Sequence, residues 1–190
     1  MVLSGPSGVG KDALLSRMKQ LGHPLHYTVT ATTRPQRPNE KDGVDYFFLS
    51  EADFTDMRQK GQFLESAEVY GHWYGVPKIP VQQALRDGKD VIIKTDVQGA
   101  ATIKSTVPQA VLIFLAPTSF EELESRLNQR QTETVIDREL RLETAKQEME
   151  RLPLFDYKVI NPFGRLDEAV EQIRAILIAE RCRVAPRRVT

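Results

Sequence analysis

The chain has 190 residues, 41% of them apolar, which is enough for one compact α/β domain with a sizeable core and short for two independent ones. Lys plus Arg and Asp plus Glu balance at 26 each, which excludes a global basic field for nucleic acid and leaves any anion recognition to local clusters. The single Cys182 excludes an internal disulfide, and neither a signal peptide nor a long apolar run is visible, so a reduced, soluble, cytoplasmic protein without membrane contact is expected.

Met1-Val2-Leu3-Ser4 reads as a buried strand that opens at the first residue, leaving room for a few residues upstream. It runs into Gly5-Pro6-Ser7-Gly8-Val9-Gly10-Lys11, and Asp12 to Leu21 follows with a helix-like apolar face at Ala13, Leu14, Met18 and Leu21. Strand, glycine-rich turn and helix in that order form a phosphate loop. The glycines let backbone N–H groups face the oxygens of a triphosphate, Lys11 carries a mobile positive charge to the β- and γ-phosphates, and the helix adds its N-terminal partial charge. The same spacing occurs in ordinary turns, but the flanking strand and helix favour a nucleoside triphosphate site. Asp12 stands where Ser or Thr usually ligates magnesium.

Beyond the first helix, His26 to Ala31 reads as a strand, and the stretch from Thr30 to Pro80 is rich in Arg, Pro, Gly and aromatics. Alternation in Val44 to Leu49 suggests a small mixed β insert, and Ser50-x-x-Asp53 opens a helix within it. Arg34 and Arg37 lie three residues apart in Thr32-Thr33-Arg34-Pro35-Gln36-Arg37-Pro38, whose prolines restrict the backbone. A guanidinium donates two parallel hydrogen bonds to two oxygens, so the pair reads as a monophosphate clamp, to which Tyr46 and Tyr74 could add hydroxyl donors. Two half-buried sheet tyrosines would serve packing equally well.

Val91-Ile92-Ile93 and Val111 to Leu115 read as further buried strands, and Thr118-x-x-Glu121 as a second helix start. From Glu121 to Arg151 the chain reads as a charged helical pair broken at Gln131-Thr132-Glu133-Thr134, with Arg126, Arg130, Arg138 and Arg141 along it. Such a run is usually a solvated face; beside a phosphate loop it reads better as an arginine-bearing lid. Tyr157 to Ile160 is the last expected strand. A closing helix over about Leu166 to Cys182 places Leu166, Ala169, Val170, Ile173, Ile176 and Leu177 on one face. His23, His26 and His72 lack metal-ligand spacing, and the alternation of strands with helices predicts a parallel sheet wrapped by helices.

The chain resembles guanylate kinase. The resemblance is carried by Ser4 to Lys11, Thr32-Thr33-Arg34-Pro35-x-Arg37-Pro38-x-Glu40, Gly43-x-Asp45-Tyr46, Phe63-Leu64-Glu65, Tyr74-Gly75, Asp96-Val97-Gln98-Gly99, Arg126-Leu127 and Val159-Ile160-Asn161, in order along essentially the whole chain. It implies transfer of the γ-phosphoryl group of ATP to GMP, with magnesium, on a P-loop NTPase-like α/β core (1–29, 81–120 and 152–190). A GMP-binding insert (30–80) and a lid (121–151) would complete the domain. By the same resemblance ATP lies against Ser4, Gly5, Pro6, Ser7, Gly8, Val9, Gly10, Lys11, Asp12 and Asn161. Arg34, Arg37, Tyr46 and Tyr74 would hold the GMP phosphate, with Thr30, Glu65 and Asp96 around the base. Arg126, Arg130 and Arg141 would meet the polyphosphate, whereas Arg138 reads as a surface charge. Glu65 suits guanine chemically, because two carboxylate acceptors meet the side-by-side N1–H and N2–H₂ donors that adenine lacks.

Three residues depart from the family pattern. Asp12 replaces a hydroxyl, Lys94 an acidic residue and Val76 a Ser or Thr. Carboxylates ligate hard cations well, so Asp12 and Asp96 are the expected magnesium contacts. Lys94 either pairs with Asp96 or approaches a phosphate. A sister kinase with another phosphorylated acceptor, or a non-catalytic protein-binding relative, are the alternatives. Oligomeric state is not legible.

Overall fold

The computed structural model describes residues 1–69, 71–128 and 135–187. Its strands are β1 (Val2–Ser4), β2 (His26–Tyr27), β3 (Thr30–Thr32), β4 (Tyr46–Phe48), β5 (Phe63–Val69), β6 (His72–Pro77), β7 (Val91–Lys94), β8 (Leu112–Ala116) and β9 (Tyr157–Ile160). Its helices are α1 (Lys11–Gln20), α2 (Glu51–Gln59), α3 (Lys78–Arg86), α4 (Val97–Thr106), α5 (Phe120–Asn128), α6 (Val135–Glu150) and α7 (Leu166–Arg181).

Val2-Leu3, Ile92-Ile93 and Leu112 to Leu115 are apolar on consecutive residues because both faces of their sheet are covered. That sheet is parallel, in the order β2-β7-β1-β8-β9. One face packs Leu3, Ile92, Ile113 and Leu115 against Leu14 and Met18 of α1 and Val170 and Ile173 of α7. The other packs Val2, Ile93 and Leu112 against Val81 of α3 and Ile103 of α4. Gly10 gives α1 no side-chain cap. Its anchorage is therefore the burial of Leu14 and Met18, at about 1.5–3 kcal/mol each, and the first-turn N–H groups of α1 are left for a ligand.

A second, mixed sheet runs β4-β3-β6-β5, parallel between β3 and β4 and antiparallel elsewhere. It has its own small core, in which Phe54 of α2 stacks on Phe63 with ring centroids 4.6 Å apart and tilts toward Trp73 at 6.0 Å. Ser50 caps α2 as expected, accepting from the Asp53 N–H at 3.1 Å.

Two expectations are corrected. His26 to Ala31 is not one strand. β2 pairs with β7 in the parallel sheet, whereas β3 pairs with β4 and β6, so the chain changes sheets between Tyr27 and Thr30. The second helix start lies one residue later than Thr118, because Ser119 Oγ accepts the Glu122 N–H at 3.3 Å. The proposed break at 131–134 lies outside the described residues. No helix among the described residues is long and apolar enough to cross a membrane.

Candidate active site

A cavity of about 430 Å³ opens where the C-terminal ends of β1 and β7 face the mixed sheet. Ligands of parallel α/β sheets bind at such carboxyl ends. Ser7, Gly8, Gly10, Lys11 and Asp12 line it from one side, and Thr30, Arg34, Arg37, Tyr46, Glu65 and Tyr74 from the other. Thr95, Asp96, Lys94, Arg141 and Glu148 complete the wall.

The loop between β1 and α1 is glycine for geometric reasons. Gly8 and Gly10 have φ of 83° and 100°, and a Cβ on Gly10 would lie 2.6 Å from Asn161 Nδ2. Asn161 Nδ2 donates to Val9 O at 2.7 Å, and Arg126 Nη1 donates to the same carbonyl at 2.9 Å. Arg126 also donates to Asn161 O at 2.6 Å and meets Glu122, with its guanidinium 5.8 Å from the exposed Phe163 ring. Arg126 and Asn161 thus brace the back of the loop, and Arg126 does not line the cavity. Pro6 and Ser4 are buried behind it. Lys11 Nζ donates to Gly5 O at 2.5 Å and Pro6 O at 3.2 Å, filling the cradle with its own ammonium. Burial lowers the Lys11 pKa, opposed by Glu148, Asp12 and Asp96. Glu148 Oε2 accepts the Ser7 N–H at 3.1 Å, and burial raises its carboxyl pKa.

Across the cavity, Glu40 organises the arginine pair. Its Oε1 and Oε2 accept from Arg34 Nη2 at 2.8 and 3.0 Å, and Oε2 accepts the Arg37 N–H at 2.9 Å. Burial would raise the Glu40 pKa, but these bonds outweigh it and hold the carboxyl below its ordinary value. Arg34 is held at 11% side-chain exposure, while Arg37 is 55% exposed and meets Glu40 only at 3.9 Å, so one guanidinium is fixed and the other more loosely held beside the cavity. Tyr46 and Tyr74 stand edge to face with centroids 6.2 Å apart, on β4 and β6.

One end of the cavity is lined by Glu65 and Thr95, with Gly99 packed against both. Thr95 Oγ1 donates to Glu65 Oε1 at 2.9 Å. Burial, opposed by Thr95 and reinforced by Asp96, pushes the Glu65 carboxyl up to about 7. Thr30 Oγ1 donates to Lys94 O at 3.4 Å beside them. Asp96 caps α4, its Oδ1 accepting the Gly99 N–H at 2.7 Å, and still borders the cavity. Val76 is fully buried in the core under the parallel sheet, so its missing hydroxyl is replaced by packing.

Lys94 does not pair with Asp96. Its Nζ donates to Asp12 Oδ1 at 2.5 Å and to Tyr46 OH at 2.8 Å. Burial pulls the Lys94 pKa down, but Asp12 and Tyr46 outweigh it and leave the ammonium above its ordinary value. Burial raises the Tyr46 hydroxyl, with Lys94 opposing.

Magnesium holds on to several waters and takes one or two carboxylates together with substrate phosphates. Asp12 and Asp96 border the cavity and offer carboxylate oxygens to an ion that arrives with a nucleotide, Asp12 through the oxygen that Lys94 does not hold. Among the described residues there is no cluster of three or more His, Cys, Asp or Glu for a dedicated metal cage.

Arg141 reaches the cavity from α6. Arg130 lies outside the described residues, as does the side chain of Arg138. Sequence reasoning gave no role to Thr95 or Glu148. Glu148 had a signal, since it follows Arg141 by two helical turns and shares its face; Thr95, one threonine among many, had none.

The guanylate kinase family model matches residues 1–180. The chain belongs to the guanylate kinase family. The guanylate kinase of Thermus thermophilus is 45% identical over 182 residues, covering 96% of this chain and 81% of that protein. That of Desulfitobacterium hafniense is 42% identical over 184 residues, covering 97% and 91%. The crystal structure of guanylate kinase from Anaplasma phagocytophilum matches with a TM-score of 0.76 at 30% identity, over 96% of this chain and 86% of that one. Guanylate kinase is a P-loop NTPase-like enzyme, and the parallel sheet with its added mixed sheet is that fold.

Proposed function

We propose that this guanylate kinase family member transfers the γ-phosphoryl group of ATP to GMP, giving ADP and GDP, within the cavity between its two sheets. The observation that carries the reading is that one cavity is lined both by a phosphate loop and by an arginine–tyrosine–glutamate set suited to a guanine monophosphate. Residues 30–80 serve as the acceptor insert and 121–151 as the lid.

Phosphoryl transfer asks little covalent work of the protein, so catalysis is alignment and charge neutralisation. On the donor side the backbone N–H groups of the loop from Ser7 to Asp12 and the Lys11 ammonium hold the polyphosphate, the Ser7 N–H exchanging Glu148 for it. Lys11 must give up its bonds to Gly5 O and Pro6 O to do so. Asn161 and Arg126 keep the loop in shape beneath the adenosine, and Arg141 brings positive charge from the lid side. On the acceptor side Arg34, Arg37, Tyr46 and Tyr74 hold the GMP phosphate, while Thr30, Glu65 and Asp96 surround the base. An oxygen of that phosphate attacks the γ-phosphorus, the bond to the β,γ-bridging oxygen breaks, and ADP leaves. No general base is required, because the attacking phosphate is already anionic. Asp12 and Asp96 would hold magnesium, which supplies positive charge to the phosphates when bound.

The exposed free thiol of Cys182 and the need for ATP suit the cytoplasm. The decisive experiment is a coupled assay of ADP release with Mg·ATP and GMP, AMP, CMP, UMP or ribose phosphates in turn. GMP-dependent turnover that stops on chelating magnesium is expected. Turnover with another acceptor alone would make this a sister kinase, and silence across the panel with nucleotide binding intact would make it a binding protein.

A further inference from the structure

Asp12 and Lys94 each depart from the family pattern, in opposite charge sense, and sequence alone gives no reason to connect residues 82 positions apart. The structure joins them at 2.5 Å, ammonium to carboxylate. The pair places a cation on β7 in the cavity wall, at the seam between donor and acceptor sides. Its Nζ reaches Asp12 in the first turn of α1 and Tyr46 OH in the acceptor clamp, and lies 4.1 Å from the Tyr46 ring centroid. An ammonium has three N–H donors. Two are engaged, and among the described residues the third has no partner. The side chain is 13% exposed, so its donors are positioned by the pocket rather than by solvent, and Lys94 lines the cavity itself.

We propose that Lys94 is a phosphate-bridging residue of the transfer reaction: its ammonium couples the phosphate loop, through Asp12, to the acceptor clamp, through Tyr46, and its third N–H meets substrate phosphate where the two nucleotides join. The proposal rests on the assignment of Tyr46 and Arg34 to the acceptor phosphate. It differs from mere neutralisation of Asp12 in a testable way, because a neutralising lysine becomes dispensable once Asp12 is gone, whereas a bridging lysine does not.

The test measures GMP binding without ATP by calorimetry, together with kcat and KM for both substrates, in wild type, Lys94→Met, Lys94→Arg, Lys94→Met/Asp12→Ser and Arg34→Ala. Loss of a charge-assisted hydrogen bond predicts GMP binding about tenfold weaker and kcat at least about tenfold lower in Lys94→Met. Lys94→Arg recovers most of the loss, and the double variant stays impaired. Tyr46→Phe also removes a direct contact to GMP, so it reports on the bridge through the double variant with Lys94→Met, whose losses should be less than additive; Lys94→Gln, which removes the charge and keeps a polar side chain, serves if Lys94→Met fails to fold. Wild-type GMP affinity and kcat in Lys94→Met or in the double variant would overturn the proposal. If Arg34→Ala weakens GMP binding and the Lys94 and Tyr46 variants do not, the acceptor assignment of Arg34 stands and the Lys94 bridge falls. If none of them weakens it, the acceptor site itself is misplaced.

Discussion

Glu65 carries the clearest consequence at the scale of single residues. Its carboxyl is buried and titrates at about 7 rather than near the 4.5 of an ordinary glutamate. Between those values the native protein holds a proton that the unfolded chain has released, so raising the pH through this window lowers the stability of the ligand-free protein. The full effect, on the order of 3 kcal/mol, is reached above 7 and does not grow further. Guanine, with two donors, binds the ionised form, so GMP affinity should move the opposite way, rising with pH up to about 7 and then levelling. Calorimetric GMP titrations and melting curves from pH 5.5 to 8.5 measure both trends. Glu65→Gln should remove its part of both trends, leaving in the GMP curve only the rise from the second phosphate ionisation at about 6, raise the melting temperature at pH 8 and weaken GMP binding by one to two orders of magnitude, the worth of a bidentate base contact. A GMP affinity in wild type that is flat across the window would remove Glu65 from base recognition. Glu65 was legible as a candidate only through the family resemblance that Phe63-Leu64-Glu65 helps to carry, since an isolated glutamate reads as a surface residue. Its protonation was not, because that depends first on burial, then on Thr95, which opposes it, and Asp96, which reinforces it, and this environment forms only when α4 packs on β5.

At the scale of elements, the start of α4 shows the site shaping a helix. Gly99 is a poor helix residue, and alanine there would ordinarily stabilise by about 1 kcal/mol. A Cβ at this position would collide with Thr95 Oγ1 and lie 2.7 Å from Glu65 Oε2. Both side chains are held by the hydrogen bond between them, so neither yields freely. The clash should outweigh the propensity gain. Gly99→Ala is expected to lower the melting temperature by several degrees and to raise the KM for GMP about tenfold or more, with the KM for ATP little changed. A more stable protein with an unaltered KM for GMP would mean that the pocket wall is softer than the contacts imply. Element boundaries of this kind were read well wherever burial on both faces or a cap left a local signal, as for β8 and the start of α2. They were read poorly where pairing partners decide. Nothing in His26 to Ala31 says that β2 joins β7 while β3 joins β4 and β6, since that choice is made by chain segments tens of residues away.

At the scale of the molecule, the mixed sheet has a small core of its own around Phe54 and Phe63, while Val76 of β6 packs into the core under the parallel sheet; the two sheets also meet through α4 against β5 and through side chains facing the cavity. Each nucleotide therefore has a different half to stabilise. GMP should slow amide exchange in β3, β4 and β6, where Thr30, Tyr46 and Tyr74 sit, and ATP should slow it in the loop from Gly5 to Lys11 and the first turn of α1. A bisubstrate analogue, adenosine and guanosine joined by an oligophosphate, engages both halves through one molecule, so its second contact is intramolecular. It should protect both regions at once and bind at least about 100-fold more tightly than GMP or ATP alone, the low end of the gain expected from linking two sites. Because stabilisation grows as RT ln(1 + [L]/Kd), the gain appears as a larger melting shift at equal concentration. Protection confined to the phosphate loop would show that the mixed sheet does not receive the guanosine end. Protection of both regions without tighter binding would show that the two nucleotides cannot sit in the cavity together, and in-line transfer between them would then fail on geometry.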